Sequence, residues 1–327
     1  LLDVGAAIAI WPNAMRILAR LGLADKILEK AGVIEEIRWL DQKGWLINRV
    51  SISTALALHR ADLQSILVQA LPPIHLGHTL ISYTQPGDKV IAIFANGLTT
   101  EADFLIGADG IHSRVRAQFI NDGEPVYRGY TVWRGISPAV PPTIPPATAL
   151  EIHGRGKRFG IGPVGLGRLG WWASANDAGD LLSLFEGWYQ PVLELIDSTP
   201  RSSILKTDAF DRPPNKSWGS GRMTLLGDAI HPTTPNLGQG GCLAMEDATV
   251  LARCFHKYGA SEEALRAYER CRYRRTSAVS KYSRYYGSIG QWENIWARGF
   301  RKTTLALVPE ALAHRLMQIV FDYDATV

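Results

Sequence analysis

The fifteen residues from Gly227 to Gly241 carry the residue types and spacing most suited to chemistry in this chain. They lie between Met223-Thr224-Leu225-Leu226, which reads as a short buried strand, and Cys242 to Ala252, where apolar residues fall at helical spacing. Four glycines and two prolines in this loop let backbone N–H groups face a ligand without Cβ obstruction, and the following helix adds the positive end of its dipole. Such a loop suits an electron-rich, partly anionic ligand. Asp228, its lone carboxylate, ends the strand where it can accept hydrogen bonds from a polyol or sugar hydroxyl.

A second segment repeats the pattern. Asp103 to Arg116 reads as strand, tight turn at Asp109-Gly110, then the start of a helix with Ser113 as its N-cap. One Asp-Gly turn is weak evidence, because most are surface turns. Two strand-to-Asp turns about 120 residues apart, each leading toward a helix, suit one nucleotide-type cofactor touched at two places.

With these residues in place the chain resembles the class A flavoprotein monooxygenases of the para-hydroxybenzoate hydroxylase fold, in the branch of salicylate hydroxylase, urate hydroxylase and zeaxanthin epoxidase. The matching pieces are Gly5 to Ala14, Arg60 to Leu63, Gly107 to Arg116, Tyr130 to Gly135 and Gly227 to Asp247, in family order. The resemblance implies a Rossmann-like, three-layer FAD-binding α/β domain, an inserted antiparallel β-sheet substrate domain and C-terminal helices. The expected division is 1–36, 58–120 and 206–260 for the FAD domain, 37–57 and 121–205 for the substrate domain, and 261–327 for the helices. The family opens with a βαβ unit whose Gly-x-Gly-x-x-Gly turn holds the FAD pyrophosphate and whose second strand ends in an acidic residue for the ribose. Neither feature stands in this sequence, so about 30 residues of such a unit are expected to be missing from its front. An incomplete N-terminus is expected rather than a truly shortened protein, which would lack a central strand of its cofactor sheet.

The resemblance also implies roles. Reduced FAD combines with O2 in a C4a-hydroperoxide, with NAD(P)H as transient electron donor, while the protein supplies positioning, dryness and an electrostatic site for the flavin's negative charge. N–H groups around Leu237, Gly238, Gly240 and Gly241 are the candidates for that site. Pro235 lies against the flavin face and is the one position assigned to catalysis, with no side-chain base identified. Asp228 binds the ribityl chain, Arg60 the phosphate or flavin side, and Asp109 and Gly110 the phosphate region that the nicotinamide donor also visits. Leu80, Gln239 and Cys242 complete the cofactor set. Asn236 and Gln239 are candidates for polarising flavin or substrate, whereas His231 reads as a structural histidine. No His or Cys attachment signature is present, so the flavin is expected to be non-covalent.

The substrate candidates are Trp133, Arg134, Arg158, Trp171 and Trp172, with Phe159 and Pro235 beside them. The strand Gly170-Trp171-Trp172 offers no titratable group to deprotonate a phenol, which favours a bulky, apolar or weakly acidic substrate: an isoprenoid to epoxidise or a fused ring to hydroxylate. Strand alternation lets only one of Trp171 and Trp172 face the flavin side. A flavin-dependent NAD(P)H oxidase or reductase without oxygen insertion, and an inactive truncated scaffold, are the alternatives.

The elements that must position these residues follow from periodicity. Helices are expected over 12–31 and 60–71, a hairpin over 34–48 turning at Gln42-Lys43-Gly44, and a small antiparallel sheet over 79–83, 89–94 and 98–101 turning at Asn96-Gly97. Further strands run from Tyr127 to Ser174, with 158–164 and 169–174 the clearest pair, and helices return after residue 260. With 327 residues, 46% hydrophobic and 20% charged, the chain can bury a core and form roughly two domains. No run of eighteen apolar residues appears, and Leu1-Leu2-Asp3-Val4 lacks a basic n-region, so a cytoplasmic enzyme is expected. The net charge of +4 is small. Its densest basic cluster, Arg270, Arg272, Arg274, Arg275, Lys281 and Arg284, reads as a solvated helix face and not as a nucleic-acid site. Three scattered cysteines and eight histidines without ligand spacing exclude a metal site: Cys242 reads as a small buried residue, Cys254 and Cys271 as core or partly exposed. The expected partners are a small organic substrate, O2 and NAD(P)H, in a monomer or homodimer.

Overall fold

The computed structural model describes residues 6–326; Gly5 of the first matching piece and the Leu1–Val4 opening lie outside the described residues. In chain order the elements are β1 (Ala7–Ile10), α1 (Pro12–Arg20), α2 (Ala24–Leu28), β2 (Gly32–Asp41), β3 (Leu46–His59), α3 (Arg60–Gln69), β4 (Leu80–Thr84), β5 (Val90–Phe94), β6 (Thr99–Ala102), β7 (Leu105–Gly107), α4 (Arg114–Phe119), β8 (Val126–Ser137), β9 (Thr148–His153), β10 (Lys157–Pro163), β11 (Leu169–Ala175), α5 (Leu181–Leu184), α6 (Pro191–Ser198), β12 (Leu205–Asp211), β13 (Gly219–Ser220), β14 (Met223–Leu225), α7 (Gly240–Tyr258), α8 (Glu262–Gly290), α9 (Ile295–Leu307) and α10 (Glu310–Phe321). The expected α/β class holds. The helix expected over 12–31 is two helices, because Gly22 takes a left-handed φ of 71° between them.

The chain forms two compact units. The first holds residues up to Ala70, Arg128–Ala209 and Tyr285–Tyr323. Its eight-stranded sheet has the order β1-β3-β2-β9-β10-β11-β8-β12. Strands β2 and β9 run parallel, whereas β1–β3, β3–β2, β9–β10, β10–β11 and β11–β8 are antiparallel pairs. Strand β1 pairs along β3 from Ala7–His59 to Ile10–Leu56, which ties the front of the chain to the large sheet.

Period-two alternation splits the middle of this sheet into two faces. On one face Trp133, Leu150, Ile152, Phe159, Ile161, Trp171 and Ala173 form a core closed by Leu184 from α5, Phe185 from the turn after it, and Val192, Leu195 and Ile196 from α6. On the other face stand Arg134 and Trp172, direct cross-strand partners, with Gly160 opposite Trp172 on the next strand.

The second unit holds Leu71–Tyr127, Phe210–Arg284 and the residues from Asp324. It contains the small antiparallel sheet β4-β5-β6, whose strands match the sequence expectation within two residues, and a three-stranded sheet β13-β14-β7. In the latter β14 and β7 are parallel, with Met223 beside Leu105 and Leu225 beside Gly107. Gly107 is required by packing: a Cβ there would stand 2.8 Å from the Leu225 and Val115 side chains.

Candidate cofactor site

The two strand-to-Asp turns leave the same edge of one sheet. Because β7 and β14 are parallel neighbours, and Leu226 N–H donates to the Gly107 carbonyl at 2.9 Å, Asp109 and Asp228 both come just after the carboxyl ends of adjacent strands. That is where α/β sheets hold their ligands.

The two carboxylates have different surroundings. Asp109 Oδ2 accepts from the backbone N–H groups of Arg114 at 2.7 Å and Val115 at 3.3 Å, so with Ser113 Oγ, which accepts from Arg116 N–H at 2.9 Å, it caps α4. Gly110 beside it has a φ of 80° and open space where a Cβ would be. Asp228 is exposed, on a tight turn from Gly227 to Ala229. Gly227 has a φ of 61°, and the N–H groups of Ile230 and His231 return to its carbonyl at 3.0 and 2.9 Å.

Side chains that sequence reasoning does not place at the cofactor hold this turn, His231 among them in the structural role expected of it. Arg116, 1% exposed, reaches across from α4 to donate to the carbonyls of Ala229 and Ile230 at 3.2 and 2.8 Å, linking the two turns. Its guanidinium pairs with Asp122, which its hydrogen bond holds below the usual carboxylate range. Asp247, wholly buried, accepts from Gly227 N–H at 3.0 Å, pairs with His231 Nε2 at 2.5 Å, and pairs with Arg272 Nε at 2.7 Å. Burial alone would raise the Asp247 carboxyl, but His231 and Arg272 together hold it below its usual value. Arg272 also binds Glu246, as does Arg275, and Arg284 binds Asp211. The solvated-face reading of the basic cluster is therefore corrected at these three arginines: Arg272 is 0% exposed and ties α8 to α7.

From Thr234 onward the loop presents backbone. Pro235 and Gly238 are exposed, and Gly238, at a φ of 60°, closes a turn by donating its N–H to the Pro235 carbonyl at 3.1 Å. Gly238 N–H is thus engaged within the turn, while Gly240 and Gly241 open α7, whose N-cap residue Gln239 makes no side-chain cap bond. Gln239 and Cys242 belong to the loop through their backbone, since their side chains are 1% and 0% exposed. Asn236 anchors the loop to α8, donating to Thr234 Oγ1 at 2.9 Å and the Ser283 carbonyl at 3.0 Å. Leu80 opens β4, half-buried.

The remaining candidates stand in the first unit. Arg60 begins α3, exposed, and its guanidinium has no ion pair among the described residues; Asp62 binds Lys30 instead. Arg134, half-buried, donates to Thr207 Oγ1 at 3.0 Å, and burial first, then the like charge of Arg60, makes its proton less tightly held. Trp133 and Trp171 are 4% and 3% exposed and lie in the helix-covered core, where Trp171 Nε1 donates to Thr199 Oγ1 at 2.8 Å. Trp172 is on the opposite, half-exposed face with Arg134. Gly160 makes room for it, since a Cβ there would overlap its indole. The Arg158 guanidinium lies over Trp172 at 5.1 Å and binds Glu151 at 3.0 Å, itself bonded by the Tyr286 hydroxyl at 2.6 Å. Arg158 is 0% exposed, so it backs Trp172 and does not line open space.

These turns fit FAD in kind: an exposed carboxylate for hydroxyls, a glycine-opened helix N-terminus for negative charge, and a loop of backbone at the strand edge. A two-turn α/β cofactor site of this sort defines a flavoprotein oxidoreductase. A family model described as FAD binding domain matches residues 5–136 and 209–283, and the chain belongs to that family as a class A FAD-dependent monooxygenase. It is similar to aurachin C monooxygenase/isomerase of Stigmatella aurantiaca, 37% identical over 94% of this chain and 85% of that protein. Zeaxanthin epoxidase, chloroplastic, of Oryza sativa subsp. japonica is 39% identical over 60% of this chain but only 32% of its own length. The structure of Klebsiella pneumoniae HpxO complexed with FAD and uric acid matches with a TM-score of 0.90 and 28% identity, over 97% of this chain and 87% of that one. Among the described residues no helix is long and apolar enough to cross a membrane, and no group of His, Cys, Asp or Glu could hold a metal ion.

Proposed function

We propose that this enzyme takes electrons from NAD(P)H and inserts one oxygen atom of O2 into an aromatic fused-ring or apolar, isoprenoid-bearing substrate. The observation that carries the reading is the exit of both Asp turns from adjacent parallel strands, the second leading to the glycine-opened start of α7. The similar proteins support it: an aurachin C monooxygenase, a zeaxanthin epoxidase, and a protein that holds uric acid with FAD.

FAD, when bound, supplies the electron transfer and oxygen activation. The chain's own residues do the rest. Asp228 accepts hydrogen bonds from the ribityl hydroxyls. The N–H groups of Gly240 and Gly241, with the α7 dipole, stabilise negative charge on the flavin ring. Pro235 fixes the ring's exposed face without taking a proton, Arg60 meets phosphate or the flavin edge, and the Asp109–Gly110 turn serves the phosphate region. Trp172 provides an apolar wall for the substrate and Arg134 a cation for an electron-rich oxygen on its edge. Cofactor contacts are assigned to 58–120 and 206–260, substrate contacts to 121–205.

The test is NAD(P)H oxidation, O2 uptake and peroxide release with planar aromatic and isoprenoid candidates, on protein whose flavin is released into the supernatant by acid precipitation. Oxygenated product matching the NAD(P)H consumed supports the reading. Peroxide matching NAD(P)H with every candidate makes the protein an oxidase, and flavin retained in the pellet refutes non-covalent binding.

A further inference from the structure

The residues on both sides of Asp228 are over-determined, while Asp228 itself is exposed. Gly227 N–H is held by Asp247, His231 N–H returns to the Gly227 carbonyl, and Arg116 holds the carbonyls of Ala229 and Ile230. Asp247 Oδ2 is shared by the two ends of this five-residue turn, at 3.0 Å from Gly227 N and 2.5 Å from His231 Nε2. Since an ionised carboxylate only accepts, Nε2 of His231 carries the proton and donates it to Asp247. His231 also lines a small pocket with Arg212, Trp218, Thr276 and Ser280, and its Nδ1 is buried without a hydrogen-bond partner among the described residues.

We propose that His231 and Asp247 are positioning residues for the cofactor: by clamping both ends of the Gly227–His231 turn they fix the direction in which Asp228 presents its carboxylate. The inference rests on the reading that Asp228 binds the cofactor's ribityl hydroxyls. A rigid, pre-set carboxylate binds a polyol without first having to be ordered, so loosening the clamp weakens FAD even though neither residue meets it. The alternative is that the pair serves only fold stability, as a bridge between the loop, α7 and α8. Removing Asp228 separates the two. A clamp that acts through Asp228 has nothing left to position once that carboxylate is gone, whereas general destabilisation adds to any other loss.

The experiment measures the FAD dissociation constant by titrating apoenzyme, with the melting temperature alongside, for Asp228→Ala, His231→Leu, His231→Gln and the double variant Asp228→Ala/His231→Leu. The Gln amide can donate to Asp247 as Nε2 does; Leu cannot. His231→Leu is expected to weaken FAD about tenfold, the order of one charge-assisted hydrogen bond. His231→Gln should stay within about twofold of the parent, and the double variant should bind no more weakly than Asp228→Ala alone. If His231→Leu does not fold, His231→Asn, too short to reach Asp247, replaces it. Equal losses in Leu and Gln, or losses that multiply in the double variant, overturn the proposal. If Asp228→Ala weakens FAD and His231→Leu does not, the clamp alone falls. If Asp228→Ala leaves affinity unchanged, the cofactor reading of the turn falls and takes the clamp with it.

Discussion

Trp171 and Trp172 are neighbours in sequence on opposite faces of β11, and truncating each should produce opposite phenotypes. Trp171 is 3% exposed, stacks on Phe159 with ring centroids 5.5 Å apart and donates to Thr199. Removing such a side chain from a closed core costs about 3–5 kcal/mol. With an unfolding entropy of about 2.1 cal/mol/K per residue, 327 residues unfolding together convert that loss into a melting-temperature drop of about 4–7 °C. The oxygen-transfer coupling should be preserved, because that face is covered by α5 and α6. Trp172→Ala removes a half-buried ring and its contact with the buried Arg158 guanidinium, worth about 2 kcal/mol at a desolvated site, so its melting temperature should fall by about 3 °C, less than for Trp171→Ala. If the ring walls the substrate, KM should rise roughly tenfold, an affinity loss of about 1.4 kcal/mol, and NAD(P)H oxidation should leak into peroxide. Differential scanning fluorimetry and a peroxide assay on both variants decide it. Equal thermal losses, or uncoupling in Trp171→Ala and not in Trp172→Ala, would refute the assignment of faces.

The two Asp turns should also separate. Asp228→Ala should lose about tenfold or more in FAD affinity, on the order of 1.5–3 kcal/mol for hydrogen bonds to a charged group, with an unchanged circular dichroism spectrum. Asp109→Ala should instead lose about 1 kcal/mol of stability with a smaller flavin loss, because its carboxylate caps α4; a larger flavin loss at Asp109 than at Asp228 would reverse the roles. The His153 imidazole is driven from 6.5 to about 4 by burial, assisted by Arg301 and Arg158 against the pull of Glu151. The unfolded chain therefore binds more protons than the folded one between those values. Stability is full above pH 6.5 and falls by about 3 kcal/mol on the way down to pH 4. Urea midpoints for the parent should fall over that window, and His153→Gln should flatten the slope; an equal slope in both would exclude His153 as its source.

Legibility in the sequence divides along physical lines. The β10–β11 pair, the β4-β5-β6 sheet and the Ser113 cap are legible because each is set by local alternation or by a side chain bonding three residues ahead. Period-two alternation likewise requires Trp171 and Trp172 to point apart. It cannot say which is core, because that depends on α5 and α6 folding back over one face. The solvated reading of Arg272 fails for a related reason. Its partners Glu246 and Asp247 are 26 and 25 residues upstream on another helix, and a run of arginines looks the same whether its stripe meets water or carboxylates. Arg116 stands in a matching piece and pairs with Asp122 six residues on, but nothing local signals its bonds to backbone carbonyls 113 and 114 residues away.

The resemblance between the two Asp turns conceals a difference that only tertiary contacts create. Each comes after a strand, each precedes a helix, and each has a glycine at positive φ beside its aspartate. At Asp109 the helix begins five residues later, near enough for the carboxylate to satisfy its first N–H groups. At Asp228 the next α-helix begins twelve residues later, too far along the chain for the same local cap. The intervening loop must then be held by other means, and Asp247, Arg116 and Asn236 hold it from α7, α4 and toward α8. Lengthening the strand-to-helix connection thus does two things at once. It leaves one carboxylate exposed, and it creates a loop that needs buried ionic anchors, which is why the network around Asp247 stands in this unit behind the Asp228 turn.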